Sequence, residues 1–552
     1  MASTSWLSVL LFFLMFRIGI GQLFTATFRL SSAFEEEINT TKMVLERMKK
    51  DDSDTALSEF ASFIEGTHLK HSNIGQDSTV TYMAHPINIY HVIKRMVIDW
   101  PERVESLGHV ADIQGSRALL DELLTITTGE LWPRPTDFEG VTLQLISIQA
   151  VYLLDIVEFA TGTLNGTRTE PLTLDEIFSI GRFAYDRNLF YEASLWFRGL
   201  GDCFKKGIKG EVATMKKALK NLASAYHRYE NYIKSVEAIN EALMYEPDDQ
   251  SLKNDLKYYV EKLEAARNEG KEPDKTLKLN PSGNEVPYRD SFDNYYALCR
   301  EDIKRPPLYM KRLKCRWKKT LVPYRPAKQE FLNIRPPVVL YHDVISDNEI
   351  EQVKNIAKRT MTKSTLAVPQ GTGNTLNTNI RVSETSWIDD SRRVIARISR
   401  RVQEITGLST KLADVAPHAE QMQVLNYGIG GMYQPRHDYL NSDPRRNRPK
   451  EDPYFLNGAG DRIATWMFYG SDVDVGGNTV FPLLNVTVPV TKGSAVFWPN
   501  MYLNGTVDWR TLHAECPVAI GSKWVMNKWL RENGQFNKWP CSTNKRKAIK
   551  LI

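Results

Sequence analysis

The sequence predicts a multidomain chain whose first half is α-helical and whose second half is a β-rich barrel or double-sheet jelly roll. Three observations carry this reading. The 552 residues exceed what one hydrophobic core normally organises. Up to about residue 260, apolar side chains recur three to seven positions apart among charged neighbours, the helical period. After Pro336-Pro337, short apolar runs alternate with Gly and Pro, as many-stranded sheet structures do. A chain that is 42% hydrophobic and 25% charged is globular in composition, and 71 basic against 66 acidic residues is too even a balance to indicate a nucleic-acid partner. The densest basic stretch, from Arg300 to Lys319, reads as a solvated, loop-rich surface.

In chain order, Leu7 to Phe16 is an apolar run followed by small residues around Gly19-Ile20-Gly21, which predicts a signal peptide over residues 1–21 with cleavage near Gln22. Arg17 ends the run well short of the roughly 20 residues needed to span a bilayer, and no later run is longer, so a lumenal or secreted protein with no transmembrane segment is expected. Sequons at Asn39, Asn165, Asn485 and Asn504 agree with secretion. Five cysteines in an oxidising compartment suggest two bridges and one thiol. Cys299 with Cys315 and Cys516 with Cys541 are the short-range pairs, leaving Cys203, although sequence does not fix the connectivity. The last residues, Lys547 to Ile552, form no retrieval signal of the Lys-Asp-Glu-Leu type.

From Phe28 to about Glu65, residues Leu30, Phe34, Ile38, Val44, Leu45, Met48 and Leu57 predict an amphipathic helix, suited to intradomain packing or a subunit contact. Ile87 to Trp100 continues as helix until Pro101, and Leu143 to Phe159 is a third apolar helix. Residues 22–165 thus form a helical N-terminal region. Over 170–262, Leu222, Ala223, Tyr226, Tyr232, Ser235, Ile239, Ala242 and Pro247 fall at tetratricopeptide spacings, with a weaker copy in Ile177, Gly181, Ala184, Phe190, Ala193 and Phe197. The 42-residue offset from Gly181 to Ala223 requires a lengthened helix or an inserted loop. Tyr185, Tyr226 and Tyr258 could stack against an extended, proline-rich ligand. A polar stretch rich in turn formers begins near Ala265, and residues 263–335, with Cys299 and Cys315, read as a linker.

In the second half, Val338 to Tyr341 reads as a strand, Asp347 to Met361 and Ser391 to Thr406 as helices, and runs at Gln423, Ile463, Asn478, Gly493 and Lys523 as further strands over a domain at 336–541. The chemistry-bearing stretch is Asn426 to Tyr439 with Thr511 to Val518. A non-haem iron site needs two imidazoles and a carboxylate on one face of the metal. It is commonly built as His-x-Asp plus a distant His, because alternate strand residues share a face. Asp438 is present and His513 lies 75 positions on, but the residue two before Asp438 is Arg436.

Tyr427-Gly428-Ile429-Gly430-Gly431, Tyr433-x-Pro435, Arg462 to Trp466, Gly476-Gly477-x-Thr479-Val480-Phe481-Pro482, His513-Ala514-x-Cys516-Pro517-Val518 and Gly521-x-Lys523-Trp524 resemble the catalytic domain of collagen prolyl 4-hydroxylase α subunits. The resemblance extends over nearly the whole mature chain. It implies a helical dimerisation region, a tetratricopeptide-like peptide-substrate domain and a double-stranded β-helix (jelly-roll) dioxygenase domain. Also implied are Fe(II), 2-oxoglutarate and ascorbate, hydroxylation of proline in X-Pro-Gly sequences, and an α2β2 assembly with protein disulfide isomerase in the endoplasmic reticulum lumen. Carried over by position, Asp438 and His513 are iron ligands, Lys523 pairs with the distal carboxylate of 2-oxoglutarate, and Tyr427 and Thr465 line that pocket.

Arg436 stands where the resemblance implies the first histidine. Arginine stays protonated and has no lone pair for a metal. His437 could replace it only if a bulge shifts the strand register. Two functions remain open: a working prolyl 4-hydroxylase α subunit, or a catalytically impaired paralogue that binds proline-rich chains. A small-molecule oxygenase fits the peptide-type first half poorly.

Overall fold

The computed structural model describes residues 27–48, 55–72, 74, 79–114, 117–208, 212–271, 289–364, 382–440 and 458–543. The signal-peptide expectation lies outside the described residues. No helix among them is long and apolar enough to cross a membrane. The chain divides into two compact units, one built mainly from residues 28–83 and 89–141, the other from residue 142 onward.

In the first unit, α1 (Thr27–Met48), α2 (Thr55–Ser72), α3 (Pro86–Lys94), α4 (Trp100–Gln114) and α5 (Arg117–Thr127) are joined by short connections, and α6 (Pro135–Tyr152) begins here. The expected stop at Pro101 does not occur. A π-helical turn at Arg95–Asp99 leads directly into α4, and this wider turn just before Pro101 lets the helix accommodate a residue with no N–H to donate. Phe34, Phe60, Ile64, Met96, Trp100 and Trp132 are buried. Against them lies a buried carboxylate, Glu37, which accepts from Arg95 Nε (2.6 Å), Arg95 Nη2 (2.7 Å) and Trp100 Nε1 (3.0 Å).

The second unit opens with the helical stack α7 (Leu174–Asp186), α8 (Phe190–Lys205), α9 (Val212–Arg228), α10 (Tyr232–Tyr245) and α11 (Gln250–Asn268). Thr173 and Glu176 form a reciprocal capping box at its start, which satisfies two N-terminal donors at once. Gly181 lets α7 and α8 cross closely, since a Cβ there would meet the Phe197 ring at 2.8 Å. Buried Ala184, Ala193, Ala223 and Ala242 are the small residues the spacing picks out.

The span read as a linker is largely structured. It contains α12 (Arg289–Cys299), β1 (Cys315–Lys318) and β2 (Ala327–Ile334). The strand signal is hidden because β1 is a mostly exposed edge strand with the pattern Cys-Arg-Trp-Lys. Further on come β3 (Pro337–His342), α13 (Asp347–Ala357), β4 (Thr362–Lys363), β5 (Glu384–Ile388), α14 (Arg393–Thr406), β6 (Met422–Tyr427), β7 (Tyr433–Arg436) and β8 (Arg462–Tyr469). The chain closes with β9 (Val475–Gly476), β10 (Thr479–Phe481), β11 (Val486–Val488), β12 (Ala495–Pro499), β13 (His513–Glu515), β14 (Val518–Ile520) and β15 (Lys523–Arg531).

A nine-stranded sheet has the order β1-β2-β3-β12-β8-β15-β6-β5-β4, a four-stranded sheet the order β11-β10-β13-β7, and β9 pairs with β14. The inner faces of the two larger sheets touch: Tyr469 of β8 donates to Thr479 of β10 at 2.9 Å, and Trp498 of β12 packs on His513 of β13 with centroids 4.8 Å apart. This double-sheet architecture is the jelly roll the strand pattern predicts, with β7, β13 and β15 delivering the candidate residues to its interior.

Candidate active site

Strands β7 and β13 pair antiparallel, with Arg436 directly opposite His513 and Glu515 opposite Tyr433. Directly opposed residues share a face of a sheet, and so do residues two apart on one strand. Arg436, His513 and Glu515 therefore project together. The one irregularity in this ladder falls between these two pairs, so it precedes Arg436 and does not move His437 onto the inner face. His437 instead stacks on Tyr439, centroids 4.6 Å apart. Burial and the neighbouring His513 bring its pKa down to about 4.

Asp438 follows the end of β7 and is buried. Its Oδ2 accepts from Thr465 Oγ1 (2.6 Å) and Trp529 Nε1 (2.9 Å), while Oδ1 lies 3.5 Å from His513 Nε2. Burial alone would raise its pKa, but His513, Arg436 and Arg462 hold the carboxylate well below the usual range. His513 Nδ1 is 3.0 Å from the Thr511 carbonyl. A carbonyl can only accept, which places a proton on Nδ1 and leaves Nε2 facing Asp438. That is the orientation a metal-binding imidazole needs.

The remaining side chains do not fit a metal. Arg436 Nη2 lies 3.4 Å from Glu515 Oε1, and its guanidinium covers the Tyr433 ring at 3.7 Å. Burial opposes its charge, yet Glu515 raises its pKa further. A permanent cation across from His513 repels Fe(II) and supplies no ligand. No group of three or more His, Cys, Asp or Glu side chains among the described residues is placed to hold a metal ion, so neither Arg436 nor His437 completes the set begun by Asp438 and His513.

Lys523, at the start of β15, is fully buried. Its Nζ donates to Glu515 Oε2 (2.5 Å), the Gly477 carbonyl (2.5 Å) and Thr479 Oγ1 (3.3 Å). Against the effect of burial, Lys523 and Arg436 hold the Glu515 pKa at about 2, so it is an anion. The residues beside Lys523 thus already provide a carboxylate, and the set does not fit a second one from 2-oxoglutarate. Tyr427 lies opposite Lys523 in the β6–β15 ladder, with its ring 5.8 Å from Nζ. Thr465 braces Asp438 and accepts from Asn500 Nδ2 at 3.0 Å.

Sequence reasoning missed Glu515, Thr479, Tyr469 and Trp529. The signal for Glu515 was available, because it is two residues beyond His513 on a strand. It also misplaced the bridges. Cys299 bonds Cys516, with Cα atoms 5.6 Å apart, while Cys315 and Cys541 are exposed thiols and Cys203 a buried one. The reason is packing: α12 docks on the four-stranded sheet, where Tyr295, Tyr296, Leu298 and Cys299 share a core with Val480, Ala514 and Cys516.

The three tyrosines expected to meet peptide differ in exposure. Tyr258 is exposed and stands 3.3 Å from His227 Nε2. Tyr185 is half-buried and bonded to Ser224 Oγ at 2.6 Å. Tyr226 is buried, edge-on to Tyr229 at 5.7 Å. Tyr258 is therefore the member best placed to contact a ligand. Half-buried Tyr191, 6.4 Å from Tyr229, extends the aromatic surface and was not foreseen.

Three family models match the chain in order: the N-terminal region of the prolyl 4-hydroxylase α subunit over residues 32–166, the prolyl 4-hydroxylase peptide-substrate-binding domain over 174–265, and the 2OG-Fe(II) oxygenase superfamily over 422–531. Prolyl 4-hydroxylase subunit alpha-1 of Bos taurus is 34% identical over 84% of this chain and 85% of its own length. Subunit alpha-2 of Gallus gallus is 32% identical over 97% and 98%. The viral collagen prolyl hydroxylase of Paramecium Bursaria Chlorella virus-1, solved as a 2OG complex, aligns at 26% identity over 35% of this chain and 95% of its own, with a TM-score of 0.27. On the ordered match of all three regions and the identity over most of its length, the chain belongs to the prolyl 4-hydroxylase α-subunit family.

Proposed function

We propose that this chain is an α-type subunit that binds proline-rich, collagen-like segments through its tetratricopeptide-like helices while its oxygenase barrel serves as a scaffold without turnover. The observation that carries the proposal is the cross-strand pairing of Arg436 with His513, which puts a cation where an iron-dependent site needs a ligand. The relatives' names, each that of a subunit, support assembly with another chain; the partner proposed is protein disulfide isomerase, in the endoplasmic reticulum lumen. A second reading, a working prolyl 4-hydroxylase using Fe(II), 2-oxoglutarate and ascorbate, draws on the family's identity as an enzyme family. It also draws on the buried Asp438 and His513 and on the approach of His513 Nε2 to the Asp438 carboxylate.

One experiment separates the two. The full-length chain, purified with disulfide isomerase, is given a Pro-Pro-Gly peptide, Fe(II), ascorbate and 2-oxoglutarate, and succinate release is measured beside peptide binding. Peptide binding without succinate is expected from the wild type. Robust wild-type turnover would refute the scaffold reading, and loss of peptide affinity would refute the binding role.

A further inference from the structure

We propose that Glu515 is a built-in carboxylate that keeps Lys523 occupied, so that the barrel excludes external 2-oxo dicarboxylates by filling their anchoring position with its own side chain. The inference rests on the scaffold reading and adds a specific device to it.

An ammonium has three protons to donate. All three of those on Lys523 find acceptors within the chain, at Glu515 Oε2, the Gly477 carbonyl and Thr479 Oγ1. Lys523 is 0% and Glu515 1% exposed. The carboxylate is held from three sides. Thr479 Oγ1 donates to Oε2 at 2.7 Å, Lys523 donates to the same oxygen, and Arg436 Nη2 approaches Oε1 at 3.4 Å. Tyr469 Oη donates in turn to Thr479 at 2.9 Å, which fixes the hydroxyl and closes the network. An incoming carboxylate would have to displace a tethered anion from a charge-assisted bond inside a water-poor core, where tethering gives Glu515 a high effective concentration. Glu515 lies two residues beyond His513 on β13, the spacing that shares a strand face, and β15 brings Lys523 to it.

The test titrates 2-oxoglutarate, without metal or oxygen, into the full-length chain in its assembly and follows heat of binding. The wild type is expected to give no binding in the millimolar range. Glu515→Ala is expected to gain affinity by at least about tenfold, the scale of one charge-assisted hydrogen bond, and Glu515→Ala/Lys523→Ala to lose the gain. Because Glu515→Ala leaves two buried cations, Arg436→Leu/Glu515→Ala serves as the second variant. Its far-ultraviolet circular dichroism verifies folding. Wild-type binding as tight as that of the variants overturns the proposal, as does a folded double variant that gains nothing. Wild-type binding without succinate release sinks this inference alone and leaves the scaffold reading standing; succinate release by the wild type sinks both.

Discussion

Replacing Glu37 by Gln tests the electrostatic core of the first unit. Burial would raise the pKa of this carboxyl, but Arg95 and His71 overcome it and hold it at about 2, against 4.5 for an ordinary glutamate. The folded pKa is depressed, so the contribution to stability is complete above about pH 4.5 and is lost as pH falls through about 2. A shift of this size corresponds to about 3 kcal/mol. In the variant at pH 7, Arg95 is left buried beside a neutral amide, and removing one partner of a buried pair costs about 3–5 kcal/mol. With a urea slope of about 2 kcal/mol per molar, the transition should move down by about 2 M. Trp100 donates to Glu37 and stacks edge-on with Trp132 at 5.6 Å, so tryptophan fluorescence follows the relevant transition. The gap between wild type and variant should narrow as pH falls from 5 towards 2. Equal midpoints at pH 7, or a gap that stays constant on acidification, would refute the assignment of a depressed, paired carboxylate.

Two further substitutions probe the helical stack. Tyr258→Ala, which removes an exposed ring, should weaken proline-rich peptide binding about five- to tenfold, the worth of one aromatic contact, and leave thermal unfolding unchanged; unaltered affinity would remove Tyr258 from the groove. Gly181→Ala, whose methyl would meet Phe197 at 2.8 Å, should destabilise the stack by about 1–3 kcal/mol in chemical unfolding, and a neutral result would mean that α7 and α8 can separate without cost.

What could be read in the sequence followed from how local each signal is. The α7–α10 stack was legible because small residues such as Ala223 and Ala242 recur at fixed spacing, and the positions of Asp438, His513 and Lys523 were legible because each sits in a dense motif. The edge strand β1 was not, since exposed edge residues carry little apolar alternation. The Cys299–Cys516 bridge joins residues 217 apart, and no local rule reports which helix will dock on which sheet. The hydrogen bond from Thr465 to Asp438 was likewise not legible, because it joins residues that no local spacing relates. Glu515 is the instructive omission, because strand alternation from His513 put it on the inner face without any structure at all.

Arg436 and Glu515 make sense as a pair and not singly. Either one alone would leave the buried set around Asp438 and Lys523 with one unbalanced charge, a condition that costs several kcal/mol. Together the four side chains cancel: Arg436 and Lys523 are cations, and Asp438 and Glu515 are anions. A site of the family's type reaches balance only when a metal dication and an acidic co-substrate enter it. Here the guanidinium stands in for positive charge opposite His513, and the Glu515 carboxylate for negative charge on Lys523. A barrel that is electrically complete without ligands gains little Coulombic attraction for either of them. On the scaffold reading, the fold of the barrel holds without either ligand.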